Sequence, residues 1–150
     1  MIIGVVGLGL IGGSMAKAIN QNTGNSVYGF DIDDTVSKKA ILVDATEGIL
    51  TKDMLSECDM LILGLYPEDT VEYVKSVAGK LKEGCMVVDT CGIKKYVCDE
   101  LFKTAKEHGF HFIGGHPMAG VEHTGFEYSK KALFRSEEHT SELQSPSWIS

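Results

Sequence analysis

Short apolar runs alternate along the chain with longer segments in which apolar residues recur at helical spacing. The runs are rich in Ile, Val and Leu and are bounded by Gly, Asn or Asp, which is typical of buried parallel strands. They predict strands over residues 2–6, 27–30, 46–49, 60–65, 86–89 and 110–113. The segments between them predict helices over residues 10–21, 33–43, 52–57 and 94–108, and one that begins at Pro67. This alternation predicts an α/β fold, a doubly wound parallel sheet with right-handed crossovers.

Three residues at predicted helix ends support this division of the chain. Asp33 or Asp34 can cap the second helix with its carboxylate, and Pro67 suits the first turn of the helix that follows the fourth strand. Gly109 directly follows the last helix, at a position where glycine commonly ends one. The elements therefore have local start and stop signals as well as the right periodicity.

Composition limits the classes of function. The chain has 150 residues, about one domain, and its formal net charge of −7 argues against nucleic-acid and anionic-membrane surfaces. No apolar run approaches the roughly 20 residues that span a bilayer, and no basic signal-peptide region precedes the first strand. The four cysteines form no CxxC pair, so we expect reduced thiols in a cytoplasmic protein and no metal site.

The last sixteen residues differ from the rest of the chain. They read RSEEHTSELQSPSWIS, are polar and Ser-rich, and follow neither strand nor helix periodicity. The stretch RSEEHTSELQS resembles the translation of a common sequencing adapter. We therefore expect residues 1–134 to be one domain that is incomplete at its C-terminal end, and residues 135–150 to be a non-native, disordered tail. Sequencing an independent clone tests this expectation.

A dinucleotide-binding fingerprint directly follows the first strand. In the motif GxGxxG, Gly7 permits a tight turn, Gly9 lets the backbone approach a pyrophosphate, and Gly12 lets the helix pack closely on the sheet. The N–H groups at the start of that helix favour phosphate. The predicted cofactor-binding segment comprises Gly7, Leu8, Gly9, Leu10, Ile11 and Gly12. Its alternative interpretation is a tight packing turn without a ligand.

An acidic residue at the end of the second strand completes the fingerprint. Asp31 lies 19 residues after Gly12, close to the spacing of about 20 expected for a carboxylate that binds the ribose hydroxyls. It would repel a 2′-phosphate, and no arginine precedes Arg135, so the sequence predicts NAD rather than NADP. Alternatively, Asp31 is a solvated or helix-capping carboxylate. The segment Leu65–Tyr66–Pro67, at the end of the fourth strand, is expected to line the nicotinamide side of the pocket; the alternative is an ordinary strand-to-helix turn.

Three segments together resemble a known family. GLGLIGGS, VVDTCGIKKYV and FIGGHPMAGVEHTGFEYSKKALF, in this order, resemble the N-terminal half of the prephenate dehydrogenases of tyrosine biosynthesis. The resemblance implies a Rossmann-type domain and an NAD-dependent oxidative decarboxylation of prephenate. It makes His116 the residue that accepts the hydroxyl proton, a role that suits an imidazole with an ordinary pKa of about 6.5. It also puts Glu122 near the mouth of the substrate pocket, where the alternative is a surface carboxylate.

The chain departs from the family pattern at two positions. Where many relatives have a serine in D-x-x-S-x-K, this chain has Gly92, and Val121 stands where relatives often have Thr or Ser. Both changes remove a hydroxyl from the expected substrate site. The adjacent Cys91 is more simply explained as a small buried residue, and Lys94 matches the pattern without an assigned catalytic role.

The resemblance also implies parts that this chain lacks. No arginine in residues 1–134 is available for the two carboxylates of prephenate. In the family, that binding comes from a C-terminal helical domain that also forms a homodimer, so we expect the fragment to bind NAD weakly and to turn over little or no substrate. Arogenate dehydrogenase, another β-hydroxyacid-type dehydrogenase and an NAD-sensing module without chemistry remain alternatives.

Overall fold

Six parallel strands form one sheet in the order β3-β2-β1-β4-β5-β6. The structure is a computed structural model that describes residues 1–115. Within them the strands are β1 Ile2–Val6, β2 Ser26–Phe30, β3 Gly48–Ile49, β4 Met60–Leu63, β5 Met86–Asp89 and β6 His111–Gly114. This order is that of the doubly wound nucleotide-binding class, so the predicted fold class is confirmed. The tail expected at residues 135–150 lies outside the described residues.

Four α-helices connect the strands. They are α1 Leu10–Asn22, α2 Asp34–Leu42, α3 Pro67–Val77 and α4 Lys94–His108, with short 3-10 helices at Lys52–Glu57 and Ala78–Lys80. The predicted end signals are confirmed: the Asp33 carboxylate accepts the N–H of Thr35, Pro67 begins α3, and Gly109 ends α4 with a φ of 78°. No helix within the described part of the chain is long and apolar enough to cross a membrane.

The core consists of two apolar clusters, one on each face of the sheet. Adjacent strand residues point to opposite faces, so Val5 joins one cluster and Val6 the other. The first cluster also contains Ala16 of α1 and Ala40 of α2, whereas the second contains side chains of α3 and α4 such as Val74 and Leu101. Both faces of the sheet are therefore covered, which explains why the central strands are apolar throughout.

Two predicted strands are shorter than expected. The run 60–65 leaves the sheet after Leu63, where the Leu63 carbonyl accepts the hydroxyl of Thr90 and the Leu65 carbonyl accepts that of Thr70. In the run 46–49, β3 comprises only Gly48–Ile49. The N–H of Glu47 still donates to the Val27 carbonyl of β2 at 2.7 Å, whereas the N–H of Thr46 donates to the Ala40 carbonyl at the end of α2. Backbone groups bond outside the sheet at Thr46, before β3, and beyond Gly64, whose N–H still donates to the Val6 carbonyl at 2.7 Å.

Candidate nucleotide-binding site

A cleft opens at the carboxyl ends of β1 and β4, where the direction of strand addition reverses. Ligands of open α/β sheets bind at this point. A cavity of about 610 Å³ lies between the loops after β1, β4 and β5, and an adjoining cavity of about 400 Å³ extends toward the end of β2. The larger cavity is lined by residues from all three predicted cofactor-binding regions and by Gly92. The predicted residues in its lining are Gly7, Gly9, Leu10, Ile11, Asp31, Leu65, Tyr66, Pro67 and Gly92. The fold thus brings the predicted cofactor segments and Gly92 together.

Three glycines meet where β1 turns into α1. Gly7 has a φ of 87°, in the region that favours glycine, and its N–H donates to the Phe30 carbonyl at 2.8 Å. A Cβ at Gly12 would lie 1.9 Å from the Gly7 carbonyl oxygen, and a Cβ at Gly64 would lie 2.7 Å from it. Sequence reasoning found Gly7 and Gly12 through their motif. It missed Gly64, whose only signal was its position at the end of the fourth apolar run.

The N-terminus of α1 is open toward the cleft. Gly9 is its N-cap residue and provides no side-chain hydrogen bond, and the first turn contains no acidic residue. A Cβ at Gly9 would have no protein atom within 4 Å. The N–H groups at this end and the positive end of the helix dipole are therefore available to an anion, as the motif predicts.

Asp31 lies beside that helix end and holds the loop backbone. Its Oδ2 accepts the N–H of Leu8 at 2.9 Å, and its Oδ1 accepts the N–H of Asp33 at 2.9 Å. The Asp31 main chain exchanges hydrogen bonds with the Ser37 hydroxyl on α2. Each carboxylate oxygen keeps a further lone pair, so the side chain is oriented and can still accept ligand hydroxyls. Its ribose contact stays a prediction.

The loops after β4 and β5 are joined side by side. The Leu65 carbonyl accepts the Thr70 hydroxyl at 3.2 Å and the Cys91 thiol at 3.4 Å. Burial raises the pKa of Cys91, which favours the neutral thiol and agrees with a small buried residue rather than a nucleophile. Tyr66, in contrast, is 80% exposed, so it projects from the cleft edge where a further domain or a ligand can reach it.

A buried carboxylate, absent from the sequence predictions, lies at the end of β5. The Asp89 side chain is fully buried; its Oδ1 accepts the N–H of Gly115 at 3.0 Å, and its Oδ2 accepts the Cys91 N–H at 3.1 Å and the Lys94 Nζ at 2.6 Å. The only sequence signal was the spacing of Asp and Lys in DTCGIK. Asp89 connects the start of α4 to the chain segment that leaves β6.

Two predicted site residues, His116 and Glu122, lie outside the described residues, as does Val121. The described chain ends at Gly115, which is buried at the carboxyl end of the sheet and next to His116 in sequence. No cluster of three or more His, Cys, Asp or Glu side chains that could hold a metal ion occurs in residues 1–115.

The cleft has an acidic and apolar lining. Among the described residues around the two cavities, the charged ones are Asp31, Asp69 and Glu72, with no lysine or arginine. Lys38, a basic residue of the neighbouring helix α2, pairs with Asp34 at 2.9 Å on the exposed surface of that helix. Electrostatics in this region therefore disfavour an additional phosphate near Asp31.

This fold and this cleft define a dinucleotide-binding domain of the doubly wound class. Residues 15–140 match the family described as "Prephenate dehydrogenase, nucleotide-binding domain". The match covers most of the chain, and the chain belongs to this family. The resemblance seen in its motifs is confirmed.

Curated relatives agree with this assignment. The chain is 29% identical to the prephenate dehydrogenase of Bacillus subtilis over 138 residues, which cover 88% of this chain and 36% of that protein. It is 31% identical to the prephenate dehydrogenase of Lactococcus lactis over 140 residues, which cover 88% of this chain and 38% of that protein. The chain thus spans little more than a third of the length of these relatives.

Solved structures agree as well. The prephenate dehydrogenase of Aquifex aeolicus has a TM-score of 0.74 at 29% identity, covering 87% of this chain and 48% of that one. A second structure of that protein, with a TM-score of 0.70, is a complex with hydroxyphenyl propionate and NAD⁺. The arogenate dehydrogenase of Synechocystis has a TM-score of 0.79 at 21% identity, covering all of this chain and 58% of that one. At that identity the likeness shows the fold alone.

Proposed function

We propose that the chain is the NAD-binding part of a dehydrogenase that oxidatively decarboxylates prephenate to 4-hydroxyphenylpyruvate. The observation that carries the proposal is the open N-terminus of α1, formed by Gly7, Gly9 and Gly12 beside the oriented carboxylate of Asp31. The family of the chain and the NAD⁺ complex of the Aquifex aeolicus relative support the choice of cofactor.

The residues of the cleft fit the parts of NAD in turn. The free N–H groups at the start of α1 suit the pyrophosphate, because Gly9 leaves room for close approach. Asp31 suits the ribose hydroxyls. The partly exposed Phe30 and the 95% exposed Ile32 line the smaller cavity, where apolar side chains suit a planar adenine ring. The side of the larger cavity toward β4 and β5 suits the nicotinamide. It is lined by Leu65, Tyr66 and Pro67.

In the proposed reaction, the chain contributes the base and the walls of the site. NAD⁺, when bound, supplies the hydride acceptor, so that the ring carbinol is oxidised, the ring carboxylate leaves as CO₂ and the ring becomes aromatic. His116 accepts the proton of the carbinol hydroxyl, a step typically worth 10²–10⁴-fold in rate. Glu122 orients the substrate at the pocket mouth. Gly92 leaves the position of the family serine to backbone or water.

The substrate class is a small cyclohexadienyl acid, and its carboxylates need partners other than the described residues of the cleft. The cleft has acidic residues and no described basic side chain that could bind the substrate carboxylates. We therefore propose that the remaining part of the full-length protein binds those carboxylates and forms the homodimer, and that the 150-residue chain binds NAD with little or no turnover.

The test measures two properties separately. Calorimetry on the 150-residue chain measures NAD binding, and NADH formation by the protein expressed from the complete gene measures turnover with prephenate and with L-arogenate. Turnover with prephenate supports the proposal, and turnover with L-arogenate alone changes the substrate. Tight NAD binding with no turnover on either acid would contradict the proposal and favour an NAD-sensing module.

A further inference from the structure

The Asp89 carboxylate receives three hydrogen bonds from three different segments of the chain. Its donors are the N–H of Gly115 after β6, the N–H of Cys91 in the loop after β5, and the Nζ of Lys94 on α4. The carboxylate is fully buried, and a buried charge is destabilising unless it is paired and hydrogen-bonded. Both conditions hold here, so the arrangement is well defined.

Lys94 is placed against the preference of its own helix. It is the first residue of α4, where the positive end of the helix dipole disfavours a cation. Its side chain is 26% exposed and reaches the Asp89 Oδ2 at 2.6 Å. By comparison, the adjacent Lys95 makes an exposed ion pair with Asp99, four residues along α4. The position of Lys94 is thus explained by its contact with Asp89 and not by helix stability.

Gly115 is held closely against the backbone of Asp89. Its N–H donates to the Asp89 carbonyl oxygen at 3.1 Å as well as to the carboxylate, and a Cβ at Gly115 would lie 2.7 Å from that carbonyl oxygen. Gly115 directly precedes His116 in the sequence. The chain is therefore fixed one residue before the proposed base.

We propose that Asp89 and Lys94 are positioning residues, which hold Gly115, the residue before His116, at the carboxyl end of the sheet. Asp89 binds the Gly115 N–H, and Lys94 keeps the carboxylate in the orientation that reaches it. The functional part of this inference rests on the role proposed for His116, whereas the anchoring itself does not.

The anchoring is tested by amide hydrogen exchange in the 150-residue chain, read by NMR. Asp89→Asn and Lys94→Met are each expected to speed exchange at Gly115 at least ~10-fold, because a hydrogen bond to a charged acceptor is lost or loosened. The N–H of Val87 within β5 serves as an internal reference.

Two further variants serve as controls. Lys95→Met, which removes only the exposed pair with Asp99, is expected to leave Gly115 exchange unchanged. Lys94→Arg, which keeps the charge, is expected to show Gly115 exchange close to that of the parent chain.

Each outcome decides a part of the proposal. Gly115 exchange within twofold of the parent in both Asp89→Asn and Lys94→Met would overturn the anchoring, and an equal effect of Lys94→Arg and Lys94→Met would overturn the role of the lysine charge. If Asp89→Asn fails to fold, Lys94→Met carries the test, since Lys94 is partly exposed.

The functional part is tested in the protein expressed from the complete gene. Lys94→Met is expected to lower kcat at least ~10-fold with a smaller effect on the KM for NAD, because Lys94 is not among the residues that line the cleft. Lys95→Met is the matched control. Faster Gly115 exchange with an unchanged kcat would overturn positioning while leaving anchoring intact. If His116 is not the base, a different result is expected: His116→Asn keeps full activity while amide exchange at Gly115 stays slow.

Discussion

Gly12 packs so closely on Gly7 that a Cβ at position 12 would lie 1.9 Å from the Gly7 carbonyl oxygen. The contact joins the first turn of α1 to the end of β1, and it sets where the helix N-terminus lies relative to the cleft. Gly64, at the end of β4, approaches the same carbonyl oxygen. The position of the anion site therefore depends on backbone contacts that any side chain would obstruct.

Gly12→Ala is expected to destabilise the domain by about 3 kcal/mol or more, since the methyl group overlaps backbone that cannot move without displacing β1. Urea unfolding measures the change. Gly24→Ala is the matched control, because a Cβ there has no heavy atom within 4 Å. Equal free energies of unfolding for the two variants would contradict the packing account.

Gly9→Ala is expected to separate binding from stability. The added methyl group has no protein neighbour within 4 Å, so the free energy of unfolding should fall by about 1 kcal/mol or less, the usual difference at an N-cap. NAD affinity should fall at least ~10-fold, because the methyl group points into the space required by the pyrophosphate. Unchanged affinity in calorimetry would count against the proposed position of the phosphates.

Asp31→Asn is expected to reduce the preference for NAD over NADP at least ~10-fold, because it removes the charge that repels a 2′-phosphate. Dissociation constants for both nucleotides, measured at one ionic strength, give the ratio. Asp99→Asn is the control, since it makes the same charge change on the exposed surface of α4. An equal change in the ratio for both variants would indicate general electrostatics instead of a specific contact.

His116→Asn, in the protein expressed from the complete gene, is expected to lower kcat by about 10²–10⁴-fold while NAD binding stays near the parent value. Steady-state NADH formation measures kcat, and calorimetry measures binding. His108→Asn, at the exposed end of α4, should leave both unchanged. A kcat within twofold of the parent in His116→Asn would rule out its role as the base.

Stability is expected to fall as the pH rises from about 9 to 11. Burial, with Cys58 and Asp59 nearby, raises the pKa of Cys85 from 9.0 to about 11. In this window the unfolded chain loses the thiol proton while the folded chain keeps it, so the folded state binds more protons and is disfavoured by rising pH. The contribution that is lost is on the order of 2–3 kcal/mol.

Urea unfolding at several pH values, in the parent and in Cys85→Ala, checks this expectation. The variant should show a shallower fall in the free energy of unfolding between pH 9 and 11, whatever its stability at pH 7. The same slope in both proteins would show that Cys85 is not the group responsible.

The sequence by itself determined the elements of this protein and the identity of its nucleotide motif. The strands Ile2–Val6 and Met86–Asp89 and the helix Lys94–His108 have the predicted bounds, because periodicity and end signals are local properties of the chain. The glycine motif and Asp31 were found for the same reason, since their spacing along the chain reflects one β-α-β unit. The family motifs likewise indicated the correct family.

Tertiary structure alone decided which distant residues meet. The burial of Asp89 and its contact with Gly115, 26 residues later, arise because β6 pairs with β5, and nothing local encodes that pairing. The place of Gly64 beside Gly7 depends in the same way on β4 adding to β1. Hydrogen bonds and close packing between segments are set by strand order, which a local hydrophobic pattern does not specify.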